Sequence, residues 1–515
     1  MRVFNINKAI GLASSGVEYA QSYRRELFAG IPWVDDFYVF TDYLGTNVSR
    51  FSDPLGFARS QVLWIYNLVA GRPTQPSTLT VERFLSLIGQ PHDEPRSRGD
   101  FLEIALTDSA VRYRLRMLAG GVVDRVETHV RDRLLRIEHY DATLNNVEHF
   151  HENRLARRVF YTSDGRVAAE QSYREQEILR TRITPASPLY DRSVRAGRAR
   201  TNSFGGDVVL EGRAQFFQFV FRHLFDRVDD VVIVDRALDV IDGIYPVLGD
   251  HRLYSVVHAE HFDPAQASDG VLLWNNHYEN VFTRPDLVDG LIVSTDRQKH
   301  ALERQLASRG PSAEIPVVSI PVGVVTRSLS RADYDRSAIV TASRLADEKH
   351  LDLLIRAVVQ ARAAVPGLRL DIFGEGGREQ LLTVIRKADA AEFVRLLGHQ
   401  KLDGLLGGYG LYVSASTSEG FGLSLLEAAA EGLPIVGFDV DYGNRELVEP
   451  GANGVLVPFT STERDVAELA DAIIRVLTSE SLDEWRAASL RKAQAYAAPR
   501  VRARWERLLR GEASC

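Results

Sequence analysis

Two glutamates, Glu419 and Glu427, stand with seven residues between them in the stretch S-T-S-E-G-F-G-L-S-L-L-E, from Ser416 to Glu427. The surrounding segment reads as strand, glycine-rich loop, helix and strand. The loop carries two close glycines, Gly420 and Gly422, and opens directly onto the helix through Phe421, Leu423 and Ser424. Backbone N–H groups and the positive end of the helix dipole then face outward together, an arrangement that suits a diphosphate. Glu427 lies four residues past Leu423, on the face of the helix that carries the loop. One carboxylate can accept hydrogen bonds from one sugar and the other from a second sugar. Two sugars joined by a diphosphate make a nucleotide-sugar.

Other residues of suitable chemistry gather at strand ends. Arg344 and Lys349, in S-R-L-A-D-E-K-H, follow an expected strand over Ala338–Thr341. A planar guanidinium and a point ammonium beside the glycine loop would neutralise a leaving diphosphate; taken by themselves they are also consistent with two solvated surface cations. His258 and His261, in V-V-H-A-E-H-F, follow an expected strand over Leu253–Val257. A histidine there can bond a sugar hydroxyl, serve as a buried structural group, or ligate a metal, although the spacing is not H-E-x-x-H. His399 and Gln400 follow a strand over Phe393–Leu397, where a nucleotide base could rest. The small-residue loop Gly11–Gly16, with Ser14 and Ser15, permits close backbone approach to a ligand and is not G-x-G-x-x-G. Asp439-Val440-Asp441 has the form of an acidic D-x-D metal signature, yet it follows a strand of an α/β unit. Neither a G-x-x-x-x-G-K-S/T phosphate loop nor a G-x-S-x-G elbow occurs.

The elements that position these residues alternate. A strand over Arg2–Ile6, the small-residue loop, and a helix over Val17–Phe28 make a β-loop-α start. From about Phe51 to Phe204 the pattern turns β-leaning, with runs Val111–Met117, Leu134–Tyr140, Arg158–Tyr161 and Val167–Tyr173. Basic and apolar residues alternate in Arg112-Tyr113-Arg114-Leu115-Arg116. This predicts an antiparallel meander with one wet face, which either stabilises the fold or docks a partner or extended acceptor. The α/β alternation resumes near Asp207, with strands Val231–Val234, Leu253–Val257 and Gly290–Ser294. A second unit follows from Ser337, with strands Ala338–Thr341, Leu368–Ile372, Phe393–Leu397, Leu411–Ala415 and Pro434–Phe438, and a helical tail over Thr462–Leu509. The expected fold class is α/β, with two Rossmann-like domains facing across a cleft and an inserted antiparallel β-meander domain. The expected boundaries are 1–45 with 205–320 for the first Rossmann-like, acceptor-side domain and 46–204 for the insertion. The nucleotide-sugar domain covers 321–495, and a C-terminal helix covers 496–515.

A chain of 515 residues, 45% hydrophobic and 25% charged, holds two or three domains with sizeable cores. Its formal net charge of −7 predicts no nucleic-acid partner. Its single cysteine, Cys515, allows no internal disulfide and fits a reducing compartment. The absence of a long apolar run or a basic-then-apolar leader predicts a cytoplasmic protein, with peripheral contact at the inner membrane face left open.

The Glu419–Glu427 segment, Ser343–His350 and the turn Gly374-Glu375-Gly376-Gly377 resemble the retaining GT-B glycosyltransferases of family 4. A narrower resemblance spans nearly the whole chain. GLASSGVEYAQSYR (Gly11–Arg24), VHAEHF (Val257–Phe262), LWNNHY (Leu273–Tyr278), IVSTDRQ (Ile292–Gln298), TASRLADEKH (Thr341–His350) and Gly437–Asn444 are similar to the GtfA family. These are catalytic subunits of the accessory-secretion O-linked N-acetylglucosaminyltransferases, which glycosylate serine-rich repeat adhesins. The resemblance implies a retaining transfer of GlcNAc from UDP-GlcNAc to Ser/Thr hydroxyls, without a metal or other cofactor. It implies that Gly16, Val17, Glu18, Tyr19, His399 and Gln400 contact UDP and that Arg344 and Lys349 hold the diphosphate. Glu427 would bind the ribose, Glu419 with the backbone of Gly420–Leu423 the GlcNAc, and His258 would sit against that sugar. It further implies a Ser/Thr-rich acceptor protein and a non-catalytic GtfB-like partner subunit. Two alternatives stand beside this reading: an α-glycosyltransferase acting on a wall teichoic acid-type polyol-phosphate polymer, and a non-catalytic GtfB-like stabilising subunit. The second predicts erosion of the donor residues, and Glu419, Glu427, Arg344 and Lys349 are all present.

Overall fold

The computed structural model describes residues 1–11, 16–45, 47–190, 206–263, 272–310, 314–327, 333–460 and 463–512. The loop positions 12–15, including Ser14 and Ser15, and Cys515 lie outside the described residues. The chain forms two compact units. The first comprises Met1–Ser14 and Trp33–Leu253, the second Ser15–Pro32 and Tyr254–Cys515.

In the first unit, β1 (Arg2–Asn7), β2 (Asp35–Phe40) and β3 (Val62–Trp64) run parallel. A long meander follows: β4 (Arg96–Arg98), β5 (Phe101–Ala105), β6 (Val111–Met117), β7 (Val123–Val130), β8 (Arg133–Tyr140), β9 (Leu144–His151), β10 (Arg154–Tyr161), β11 (Val167–Arg174), β12 (Glu177–Ile183) and β13 (Val208–Glu211). Each strand pairs with its neighbour in sequence, giving one ten-stranded antiparallel sheet. Its first strands bury Ile104, Leu115, Val123 and Val126 against Phe84 of the helix Val81–Ile88. The other face carries arginine–glutamate pairs such as Arg125–Glu127 at 2.9 Å and Arg182–Glu170 at 2.7 Å. Alternation of that kind is what a half-solvated antiparallel sheet requires. The chain returns to β1 through β14 (Val231–Val234), four fully buried residues paired parallel to it. The β-rich region starts later than the Phe51 expected from sequence. Residues 49–88 instead hold short helices, and β3 joins the parallel sheet through β2.

In the second unit, β15 (Arg252–Val257), β16 (Gly290–Val293) and β17 (Val317–Ser319) are parallel neighbours. Six further strands form the sheet on which the candidate site is built: β18 (Asp335–Ala342), β19 (Arg369–Phe373), β20 (Val394–Gly398), β21 (Tyr409–Ser414), β22 (Ile435–Phe438) and β23 (Gly454–Val457). All pairings are parallel and the order is β20-β19-β18-β21-β22-β23. Strand order therefore reverses between β18 and β21. The loops leaving those two strands diverge to opposite faces and open the crevice in which sheets of this kind bind ligands.

The helices of this unit include α1 (Gly16–Phe28), α2 (Leu351–Ala361), α3 (Leu423–Ala430), α4 (Arg464–Thr478), α5 (Leu482–Ala493) and α6 (Ala498–Leu509). Leu351, Leu354, Ile355 and Val358 of α2 pack with Leu469, Ile473 and Val476 of α4 over Ile339, Leu370 and Leu411. Phe28 of α1 stands edge-on to Trp505 of α6, centroids 5.4 Å apart, with the Arg24 guanidinium over the indole at 5.0 Å. Among the described residues, no helix is long and apolar enough to cross a membrane.

Candidate functional site

Lys349 and Glu419 meet at the switch point of the six-stranded sheet. After β18 the chain makes a short 3-10 turn over Asp347–Lys349, and His350 takes a left-handed conformation, φ +42°, to enter α2. After β21 it runs through Ser416 and Glu419 into α3. Because β18 and β21 are adjacent, the two loops lie side by side. The Lys349 ammonium donates to Glu419 Oε1 at 2.6 Å and to Ser416 Oγ at 3.0 Å. The pair is partly buried, with side-chain exposures of 13% and 19%, so each charge is held by the other and still reaches solvent on one side.

Glycines permit the close packing that this geometry needs. Gly374 has φ +141°, and a Cβ there would lie 1.8 Å from the Ser343 carbonyl oxygen. The turn after β19 can therefore press against the Ser343–Leu345 loop and hold it through Leu345 N–H to Glu375 O at 2.8 Å. Gly422, φ +81°, precedes α3, and no side chain caps the helix. The first-turn N–H groups of α3 are thus left for solvent or a ligand anion. A Cβ on Gly420 would meet the His258 carbonyl oxygen at 2.1 Å, which places the strand end of β15 directly against this loop.

Glu427, one turn into α3, accepts a hydrogen bond from the Tyr23 hydroxyl of α1 at 3.0 Å. Burial pushes its carboxyl up to about 7, against the opposing hydrogen bond from Tyr23, and the charge of Glu431 adds to the rise. The neighbouring Tyr19 places its hydroxyl 3.2 Å from His399 Nε2. Burial raises the Tyr19 phenol above its ordinary value, with a contribution from Glu427. Helix α1 thus brings Tyr19 and Tyr23 to the loops of the six-stranded sheet. Gly16 is exposed, whereas Val17 and Glu18 are buried.

Other expected residues take different positions. Arg344 is exposed and paired with Glu348 at 2.7 Å. It lies one loop from Lys349 but does not join the Lys349–Glu419 contact. Gln400 donates to the Leu397 carbonyl of its own loop at 3.2 Å. Phe421 is buried against Tyr496, centroids 5.6 Å apart, so its side chain belongs to the core and only its backbone faces the loop. Ser424 Oγ accepts from the Tyr412 hydroxyl at 2.8 Å, and Leu423 is partly buried. His258 donates its backbone N–H to the Tyr278 hydroxyl at 3.0 Å. His261 is fully buried between Gln305, 2.6 Å from Nε2, and the Tyr442 hydroxyl, 3.3 Å from Nδ1. Burial lowers its pKa to about 4, so the ring is neutral. Asp439 and Asp441 of the D-x-D motif both pair with Arg445, at 2.6 and 3.0 Å, on the helix Gly443–Leu447. Among the described residues, no group of three or more His, Cys, Asp or Glu is placed to hold a metal.

Tyr23, Ser416, Glu260 and Tyr442 are the residues that sequence reasoning passed over. Two of them carry a signal: Ser416 lies three residues before Glu419. Tyr23 sits one helical turn beyond Tyr19, a spacing that marks a shared face.

The Glycosyl transferases group 1 family model matches residues 327–498, the part of the chain that holds the six-stranded sheet. Along its whole length the chain is similar to the UDP-N-acetylglucosamine--peptide N-acetylglucosaminyltransferase GtfA subunit of Streptococcus gordonii. The two are 34% identical over 525 aligned positions, covering 99% of this chain and 98% of the relative. The chain belongs to the GtfA family. Its fold is the GT-B fold, and it resembles the crystal structure of the pneumococcal O-GlcNAc transferase GtfA in complex with UDP and GlcNAc. That match has a TM-score of 0.90 at 30% identity over 99% of both chains. The crystal structure of a GtfA/B complex matches with a TM-score of 0.85 at 32% identity, again over 99% of both chains. In this GtfA-family chain the glycine-opened helix α3 and the Lys349–Glu419 pair fall within the matched family region.

Proposed function

We propose that this chain is a UDP-GlcNAc-dependent protein O-glycosyltransferase. It moves GlcNAc onto Ser/Thr hydroxyls of a serine-rich repeat surface protein with retention of anomeric configuration, working with a GtfB-like partner subunit. The observation that carries the reading is the Lys349–Glu419 contact at the switch point, set beside an uncapped helix start. The α3 N–H groups and the Lys349 ammonium face the diphosphate. As negative charge develops on the leaving phosphate, fixed donors and a fixed cation stabilise it without reorganising. Glu419, oriented by Lys349, accepts hydrogen bonds from sugar hydroxyls, and Glu427 accepts from the ribose. In a front-side retaining displacement the departing phosphate oxygen takes the acceptor hydroxyl's proton, so the site needs no carboxylate nucleophile. Charge neutralisation by Lys349, Arg344 and the helix supports a reaction independent of metal. Full-length likeness to GtfA subunits, and to a structure holding UDP and GlcNAc, supports the donor. Likeness to a GtfA/B complex supports the partner. A cytoplasmic location, with peripheral contact at the membrane, completes the proposal.

The test is UDP release from UDP-GlcNAc with and without a Ser/Thr-rich peptide and a co-expressed partner. Peptide-dependent release should fall about 100-fold in Glu419→Gln, the magnitude typical of losing one preorganised transition-state contact. Equal turnover in that variant would remove Glu419 from the reaction, and no binding of any UDP-sugar would remove the transferase reading.

A further inference from the structure

Tyr442 joins the two loops that the proposed reaction needs to hold in register. Its backbone N–H donates to the Glu419 carbonyl at 2.8 Å, and the next N–H, of Gly443, donates to the same oxygen at 3.0 Å. Its hydroxyl reaches the other way, donating to Glu260 Oε1 at 2.6 Å and lying 3.3 Å from His261 Nδ1. The phenol ring stacks on the His261 imidazole, centroids 5.8 Å apart and planes 27° apart. Tyr442 is 3% exposed. The segment His258–His261 is also pinned through its backbone. The N–H groups of His258 and Ala259 donate to Tyr278, the Ala259 carbonyl accepts from Gln298 at 2.8 Å, and the Glu260 carbonyl accepts from Asn275 at 2.9 Å. The Glu260 carboxylate and the His261 ring tie that segment to the loop following β22.

We infer that Tyr442 is a positioning residue that sets the distance between Glu419 and His258, through its backbone on one side and its hydroxyl on the other. The contact of Gly420 with the His258 carbonyl leaves no spare room between those loops, so a small slip of either one displaces the other. The inference rests on the transferase reading, in which Glu419 and His258 touch the transferred sugar.

Tyr442→Phe keeps the ring, the stacking and both backbone donors, and removes only the hydroxyl. Peptide-dependent UDP release should lose about tenfold in kcat, while the KM for UDP-GlcNAc stays within about twofold, because misplacing a reacting group costs rate rather than nucleotide binding. Glu260→Ala should do the same. The double variant should lose little more than either single one, since both cut one contact. A second readout is independent of turnover. In histidine-labelled protein, the His258 ring resonance, identified by its loss in His258→Gln, should move in Tyr442→Phe. An unchanged kcat, or an unmoved His258 resonance, overturns the positioning role. An inactive parent chain with a moved resonance removes the transfer reading and leaves the positioning role standing. Should Tyr442→Phe lose its thermal transition, Glu260→Ala, on a partly exposed side chain, carries the same measurements.

Discussion

Glu427 is a carboxyl whose environment works against its ionisation. Burial raises its pKa from the ordinary 4.5 to about 7, while the Tyr23 hydroxyl pulls the other way. The folded chain therefore holds a proton that the unfolded chain releases at lower pH. That stabilising contribution is fully present below 4.5 and is lost as pH rises through about 7. Donor binding should run in the opposite direction, because a carboxylate accepts two ribose hydroxyl bonds and a protonated carboxyl accepts fewer. The affinity for UDP-GlcNAc, whose diphosphate diester does not titrate in this window, should rise severalfold between pH 6 and pH 8 by roughly the share of Glu427 that ionises. Calorimetry at the two pH values checks this. Glu427→Gln should flatten the dependence, and Tyr23→Phe should move its midpoint upward by removing the bond that favours the charged form. An unaltered slope in Glu427→Gln would assign the titration elsewhere.

The face of helix α1 that carries Arg24 and Phe28 packs on Trp505 of α6. Trp505→Ala removes the ring that Phe28 and Arg24 pack on, and should cost about 3–5 kcal/mol of stability. It should also weaken UDP-GlcNAc binding, since Tyr19 and Tyr23 ride on α1; a lowered thermal midpoint with unchanged donor affinity would show that α1 holds its place without α6. The element scale also separates what was legible in the chain from what was not. Val231–Val234 and the strands at Ala338, Leu411 and Ile435 were readable because strands buried on both faces are continuous apolar runs. β2 escaped notice because D-D-F-Y-V-F opens with two aspartates, and β9 because L-N-N-V-E-H-F-H buries polar side chains: Asn145 bonds Asn67 and Asp141, and Asn146 accepts from Tyr43. Lys349 and Glu419 were legible from their place after strands, but their contact follows from β18 lying beside β21, which is a property of sheet order. Arg344 shares Lys349's signal and stands exposed one loop away, paired with Glu348 four residues on. Nothing in linear spacing couples Tyr23 to Glu427 or Tyr442 to Glu260, because each pair is set by packing between distant segments.

At the scale of the molecule, the proposed reading assigns charge neutralisation to the cations and dipoles around the donor loops, and the aspartates of the D-x-D motif are engaged by Arg445. UDP release should therefore proceed at the same rate in EDTA and in magnesium. A tenfold dependence on added metal would refute this assignment. The division of the chain bears on a different process. The second unit takes in Ser15–Pro32 together with everything after Tyr254, so the first unit interrupts it. Phe28 leaves the ribosome early and Trp505 near the end of the 515 residues. At the usual ~5–20 residues per second, roughly half a minute or more of synthesis separates them. Throughout that interval Phe28 and Arg24 lack the ring they pack on in the finished fold. A chain broken off before Trp505 would thus carry its defect far upstream, in α1, where Phe28 and Arg24 would lack the indole they pack on.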